Sequence, residues 1–501
     1  MGAVESCQWR PHQCLPRSFP KHCCDEEDAL GFPTGAIPID GQLGLRIFHF
    51  NDVYILDHLA ALKAHVQTLG HASGAQNVIT TLSGDFVAPS MLSAIDHGAG
   101  MLACLNDVPV DYCCFGNHES DIPYESLLCR IGEFQGKWIN SNMQGFEKPP
   151  ELDHQLEEYY VVEPLRTVHG RTVALIGLNV ANRAMYRKGA FNGAAETLEP
   201  VLDCAKRMVD KIKSDIPDVD CIIPLTHQDL KDDIALAETG LFPLILGGHD
   251  HFVHHSSVNN CVIAKAGEDA KNVFKVDLYW DATAPVGSRP TVSAELIPMV
   301  AQKGQDTPLR DIPPDSHLKA LVEHRMLPVV ELQAATLASF KERATPLTSI
   351  GARVGPNSMG TLLATALRDA TRADAGVINA GSVRGNREYT DGLFTFAHLS
   401  AEVPFPSANI VIQVDGKTIS EAVKVSRDGW INKPGSEVGS ALHTDEDMLV
   451  DPSTGEVLTI GKMAMQPNKL YNLVVDAYIV RKNVAFKAYA AQYPDRIPPD
   501  D

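Results

Sequence analysis

The chain has 501 residues, 44% of them hydrophobic and 21% charged, with a formal net charge of −20. The length exceeds one ordinary core and predicts two domains, and the composition is that of a globular protein. The acidic balance argues against a nucleic-acid polymer or an anionic membrane face as main partner, and any phosphate-bearing ligand would need local positive charge from metal ions or arginines.

Residues 1–43 lack periodicity and read as an irregular leader. It opens Met1-Gly2-Ala3-Val4-Glu5-Ser6, which fits the myristoylation pattern at Gly2, with Cys7 close by for a second acyl chain. The alternative is a leader whose second residue happens to be glycine. Eleven cysteines, four of them in the first 24 residues, form no CxxC pair and no even framework. That usage fits a reducing compartment, so a cytoplasmic address is expected, with membrane association if Gly2 is acylated. No apolar run reaches 18 residues, so no transmembrane segment is expected.

An apolar run over Leu45–Phe50 predicts a strand, and Asn51-Asp52-Val53-Tyr54 follows it. A second run, Val78–Leu82, ends in Ser83-Gly84-Asp85; a helix is expected over Ser90–Leu105; a short strand over Asp111–Phe115 leads into Gly116-Asn117-His118-Glu119-Ser120-Asp121. Further strands are expected at Thr172–Leu178, Cys221–Leu225, Pro243–Leu246 and Val273–Trp280, with helical patterns such as Glu199–Ile212 between them. Short apolar strands alternating with helices predict an α/β layered domain over 44–300. The polar, Pro-rich stretch Gln302–Asp315 reads as a boundary, and Ser316–Lys341 as a long helix kinked at Pro328, within a linker spanning 301–346. A second domain is expected over 347–490, with a helix at Ser358–Thr371, a strand at Ala375–Asn379 and a hairpin at Asp415-Gly416.

Metal-type side chains recur where the apolar strands end: Asp52, Asp85, Asn117 with His118, His227, and the pair His249 and His251. Loops at strand C-termini of open α/β sheets converge on the ligand site. Carboxylates together with imidazoles suit Zn, Mn or Fe, and a carboxylate can bridge two ions about 3.5–4 Å apart, the clamp used on phosphoryl centres. A lone Gly-Asp or a lone His is usually a turn or a packed residue; the ordered set is what carries the signal.

That order, Asn-Asp, Gly-Asp, Gly-Asn-His-Glu, His, Gly-His-x-His, resembles the calcineurin-like metallophosphoesterase superfamily. From about residue 44 to 480 the chain resembles the 5′-nucleotidase family within it, which includes 2′,3′-cyclic-nucleotide phosphodiesterases. The resemblance implies a layered αββα-type metallophosphoesterase domain followed by a second α/β 5′-nucleotidase C-terminal domain. It also implies two divalent metal ions: Asp85 would bridge them, Asp52 and His251 would serve one, and Asn117, His227 and His249 the other. His118 and Asp121 resemble the family's His–Asp dyad, in which the carboxylate orients the imidazole and keeps it protonated.

Tyr54 stands where the family's Asp-x-His motif has its histidine, while His251 stands where several relatives have Gln. Three readings remain: the two changes compensate, Tyr54 ligates as a phenolate and favours Fe(III), or Tyr54 merely packs nearby. A phenol of ordinary pKa about 10 is a poor ligand for divalent ions at neutral pH, which favours the first and third.

In the second domain, Asn379-Ala380-Gly381-Ser382-Val383-Arg384-Gly385 resembles the family's Asn-Gly-Gly-x-Arg substrate loop, and Val403-Pro404-Phe405 the segment whose Phe stacks on the base. Asn379 would read a base edge, Arg384 would fork onto phosphate or ribose oxygens, and Phe405 would stack. The family's second aromatic, from a Gly-rich loop near the end, has no counterpart; Tyr478 and Phe486 are the substitutes on offer. The expected activity is two-metal hydrolysis of phosphate esters, 5′-nucleotides or related nucleoside phosphates including 2′,3′-cyclic ones. The alternative is a catalytically impaired nucleotide-binding or scaffold protein on the same fold.

Overall fold

The computed structural model describes residues 41–497 apart from residue 164 and residues 166–169, 302–308, 343–344 and 406. The leader before residue 41, and with it the acylation reading at Gly2, lies outside the described residues. By internal contacts the chain divides into two units at Val329 and Val330.

The strands of the first unit, in chain order, are β1 Gly41–Phe50, β2 Val78–Ser83, β3 Tyr112–Cys114, β4 Lys137–Ile139, β5 Leu156–Glu157, β6 Tyr159–Val161, β7 Val173–Asn179, β8 Cys221–His227, β9 Leu244–Gly248, β10 Val253–Val258, β11 Cys261–Ala266, β12 Asn272–Asp281 and β13 Thr291–Pro298. They form two mixed sheets, ordered β13-β12-β1-β2-β3-β4-β5 and β10-β11-β9-β8-β7-β6. Phe48, Phe50, Leu82, Leu225 and Leu246 belong to one continuous buried core of the unit. On the outer face of the second sheet, Cys204, Ala205, Met208, Val209 and Ile212 of the helix Val201–Asp215 line one stripe against β7 and β8. Helices Leu59–Gly70, Ala99–Asp107 and Tyr124–Glu133 pack against the first sheet. The result is an α/β/β/α stack. It matches the layered αββα-type class, with neighbours β1, β2, β3 parallel in one sheet and β7, β8, β9 parallel in the other.

Both faces of β1 are buried, so its one internal charge, Arg46, must be paired. Its Nε and Nη2 donate to the two oxygens of Asp277 on β12 at 2.6 and 2.8 Å, and Nη1 donates to the Leu69 carbonyl at 2.8 Å.

The second unit centres on a four-stranded sheet ordered Asn409–Asp415, Leu470–Asp476, Ala375–Asn379, Leu442–Thr444, with helices Ser358–Thr371 and Gly416–Ser426 beside it. The expected helix Ser358–Thr371 and strand Ala375–Asn379 have those bounds.

Three expected elements differ. The helix over Ser90–Leu105 is two helices, Met91–Asp96 and Ala99–Asp107. His97 and Gly98 take left-handed conformations between them, and the Asp96 carboxylate caps the N–H groups of Gly98 and Gly100. Asp415-Gly416 is not a hairpin: the Asp415 side chain accepts from Thr418 N at 2.7 Å and caps the helix Gly416–Ser426. The helix from Ser316 runs through Pro328 and stops at Ala334, because Thr336–Ser339 pairs with Leu393–Thr395 instead.

All seven cysteines among the described residues are free, and no helix among them is long and apolar enough to cross a membrane.

Candidate active site

The first unit brings the predicted ligand loops to one end of its parallel strands. Asp52 N donates to Gly84 O at 3.1 Å and Val53 N to Asp85 O at 2.9 Å, so the loops after β1 and β2 are tied together by backbone. Gly84 and Gly116 must lack side chains here: a Cβ on Gly116 would lie 2.1 Å from Asp85 Oδ1, and one on Gly84 2.6 Å from His227 Nδ1.

Ligand-type atoms of Asp85, His227 and His249 lie within 4.8 Å of one another. His227 Nε2 is 3.0 Å from Asp85 Oδ2 and 4.0 Å from Asp52 Oδ1. His251 Nε2 is 3.2 Å from Asp52 Oδ1, and His249 Nδ1 is 3.3 Å from His227 Nε2. Asn117 joins them through its neighbour, since His118 N donates to Asp85 Oδ1 at 2.8 Å. Side chains of five of the six expected ligands, Asp52, Asp85, His227, His249 and His251, thus meet in one cluster, and Asn117 stands beside it in sequence through His118.

The donor set fits bound cations on three counts. Asp52 and Asp85 are completely buried carboxylates that need positive charge beside them. The buried Asn117 Oδ1 has no hydrogen-bond partner. Asp52, Asp85, His249 and His251 all have positive φ, between 54° and 85°, a strained conformation concentrated at functional sites. His227 Nδ1 donates to the Ser83 carbonyl at 2.8 Å, which leaves Nε2 facing the cluster as a metal-binding imidazole requires. Burial pulls the pKa of His227 down, but Asp85 and Asp52 raise it to about 10. His249 is lowered to about 4 by burial and by the charge on His227.

His118 Nδ1 meets Asp121 Oδ2 at 2.7 Å, so Nε2 is its free nitrogen. Burial lowers its pKa, but Asp85 and Asp121 outweigh that and raise it to about 9. Arg187 holds the other Asp121 oxygen at 3.2 Å. The Tyr54 hydroxyl reaches into the ligand cluster, 2.9 Å from His251 Nε2, 3.2 Å from Asp52 Oδ1 and 3.3 Å from Asp85 Oδ2. Burial, then Asp85 and Asp52, raise its pKa well above the ordinary phenol value.

Residues without a predicted role support the predicted ones. The fully buried Glu119 accepts from the N–H groups of Asp85, Phe86, Val87 and Gly116 at 2.6–3.2 Å. Asn51 donates to Asp52 Oδ2 at 2.6 Å and accepts from Ala266 N. Lys265, 1% exposed, interrupts the apolar run of β11. A charge in the middle of such a strand was the one signal in the sequence that pointed to it.

In the second unit, Asn379 ends its strand and its Oδ1 accepts from Ser382 Oγ at 2.8 Å. Arg384 lies over the Phe405 ring at 5.2 Å, and Phe405 is 46% exposed, so it is no core aromatic. Burial, then the neighbouring charge of Arg353, lower the pKa of Arg384. The loop leans on the buried Glu402, which accepts from Ser349 Oγ, Tyr389 Oη and Gly385 N; a Cβ on Gly385 would sit 2.2 Å from that carboxylate. Phe486 is fully buried in the core of the unit, which removes it as a substitute for the second base-stacking aromatic. Tyr478 is 48% exposed.

Residues 45–253 match the calcineurin-like phosphoesterase family and residues 335–491 the 5′-nucleotidase C-terminal domain. Among solved structures, the NAD nucleotidase of Haemophilus influenzae is 14% identical with a TM-score of 0.55, covering 90% of this chain and 92% of its own. A 5′-nucleotidase precursor from Thermus thermophilus is 18% identical with a TM-score of 0.51, covering 88% and 91%. The sulfate thiohydrolase of the same species is 16% identical with a TM-score of 0.51, covering 92% and 96%. At these identities the likeness establishes the fold alone. A curated relative, Endonuclease YhcR of Bacillus subtilis (strain 168), is 22% identical over 427 residues, 81% of this chain; the chain spans about a third (33%) of that relative's length.

Proposed function

From this union of a calcineurin-like phosphoesterase domain with a 5′-nucleotidase C-terminal domain, a metal-dependent phosphoric ester hydrolase, we infer hydrolysis of nucleoside phosphates, 5′-nucleotides or their 2′,3′-cyclic relatives. Asp52, Asp85, Asn117, His227, His249 and His251 would hold two divalent ions, with Zn, Mn or Fe suited to this mix of carboxylate, carboxamide and imidazole. When bound, such ions acidify a water and neutralise phosphate oxygens. Asp121 fixes the His118 ring, whose Nε2 offers a proton to a phosphate or leaving-group oxygen. Arg384 and Phe405 supply a charged fork and a stacking face suited to a nucleoside phosphate, and Asn379 a base-reading amide.

The observation that carries this reading is the gathering of Asp85, His227 and His249 within 4.8 Å, from strands far apart in sequence. The test is phosphate release from a panel of nucleoside monophosphates and cyclic nucleotides by Mn²⁺- or Zn²⁺-loaded protein. Turnover is expected, and His118→Ala should lower kcat roughly 10²–10⁴-fold. Nucleotide binding without turnover would instead favour the impaired, nucleotide-binding alternative, for which the Tyr54 hydroxyl among the ligands is the one structural argument. Cleavage of plasmid DNA in preference to nucleotides would favour a nuclease, which the net charge of −20 opposes.

A further inference from the structure

We propose that Lys265 is a positioning residue for the metal centre, its buried ammonium tying together the two loop ends that carry His227 and His249. The inference rests on the reading of His227 and His249 as metal ligands. Lys265 Nζ lies 2.7 Å from the carbonyl of Gln228, which follows His227, and 2.8 Å from the carbonyl of Gly248, which precedes His249. It also donates to the carboxylate of Asp250, which follows His249, and pairs with Asp233 Oδ2 at 2.9 Å. Asp233 is itself fully buried, and its Oδ1 accepts from Thr226 Oγ1 at 2.7 Å and Gln228 Nε2 at 2.8 Å. Each histidine is therefore gripped through the residues on both sides of it.

The surroundings are built for this stem. Lys265 is in register with Gly247 on the neighbouring parallel strand β9, and a Cβ on Gly247 would meet Lys265 Cε and Asp233 Oδ2 at 2.9 Å. On the other side, a Cβ on Gly248 would lie 2.3 Å from Ser83 O, so the turn is wedged between β2 and the ammonium. His249 needs that grip, because it holds φ of 85° without being glycine. An ammonium has three protons and meets four oxygens here, so it is saturated and makes a complete cross-tie.

The experiment compares Mn²⁺ affinity and stoichiometry of the full chain, by equilibrium dialysis, in wild type, Lys265→Met, Lys265→Ala and the double variant Lys265→Met with Asp250→Asn. The double variant keeps the net charge of the cluster and serves if Lys265→Met does not fold, as judged by circular dichroism and cooperative melting. Folded variants are expected to bind Mn²⁺ roughly 10–100-fold more weakly, as when an outer partner of a metal ligand is lost. Propylammonium should restore affinity to Lys265→Ala, a rescue that a general loss of stability would not show. Folded variants with wild-type Mn²⁺ affinity, or a defect that propylammonium leaves untouched, overturn the inference. A wild-type chain that takes up no Mn²⁺ overturns the metal-centre reading on which it rests.

Discussion

The Glu119 carboxylate receives four backbone N–H groups from the two loops that carry Asp85 and Asn117, and so sets the approach of those loops to each other. An amide in its place would turn an NH₂ group against these donors. Glu119→Gln should cost about 1–3 kcal/mol in a denaturant melt and also weaken Mn²⁺ binding. At the same scale, Phe405→Ala should raise KM for a nucleotide roughly tenfold while kcat changes little, a stacking loss of about 1–3 kcal/mol. His443 gives the second unit a pH dependence. Burial, then Arg427, hold this imidazole at about 4, below its ordinary 6.5. The unfolded chain therefore takes up a proton first as pH falls, so stability is full above 6.5 and declines as pH drops towards 4, by about 3 kcal/mol in all. His443→Gln should flatten that decline in urea melts between those two pH values. The clustered Asp52, Asp85, His227 and His249 were legible as candidates because they stood at the ends of apolar strands, Asp85 and His249 directly after a glycine. Glu119 and Arg353 were not, because their partners are backbone groups or side chains brought near only by folding, and Lys265 left only the trace of a charge inside an apolar strand.

The elements that position the site are strand ends, and glycine decides how near they come. A Cβ on Gly248 would strike Ser83 O at 2.3 Å and crowd Asp52 Oδ2 and His227 Nδ1 at 3.0 Å. Gly248→Ala should therefore push the ends of β2 and β9 apart and abolish Mn²⁺ binding while most of the melting temperature is kept. In the second unit a Cβ on Gly360 would enter the His443 ring at 2.3–2.6 Å, which is why the helix Ser358–Thr371 can lie so close to the strand Leu442–Thr444. Strand positions were readable from apolar runs of four to eight residues, because burial on both faces writes a continuous signal. The failures came where one residue overrides a periodic pattern: the left-handed pair His97 and Gly98 inside an apolar stretch, and Asp415 acting as a helix cap where Asp-Gly suggested a hairpin.

For the molecule as a whole, a net charge of −20 and an anionic substrate pull in opposite directions. Salt screens that repulsion: the Debye length falls from about 30 Å at 0.01 M to about 8 Å at 0.15 M. The kcat/KM for a nucleotide is therefore expected to rise with moderate salt, measured in initial-rate assays at fixed metal. A fall would mean that the guanidinium groups near Arg384 dominate the approach field instead. The α/β class followed from the pattern of strands and helices; the pairing of β1 did not, because apolar runs carry no record of their neighbours. That pairing bears on biosynthesis. Arg46 emerges early on β1, but the carboxylate that neutralises it, Asp277, follows 231 residues later. At a ribosomal pace of about 5–20 residues per second, the nascent sheet waits roughly ten to fifty seconds with one edge of β1 open. A fragment cut at residue 253, where the phosphoesterase match ends, would never receive that strand, and its buried guanidinium would be left without a counter-charge.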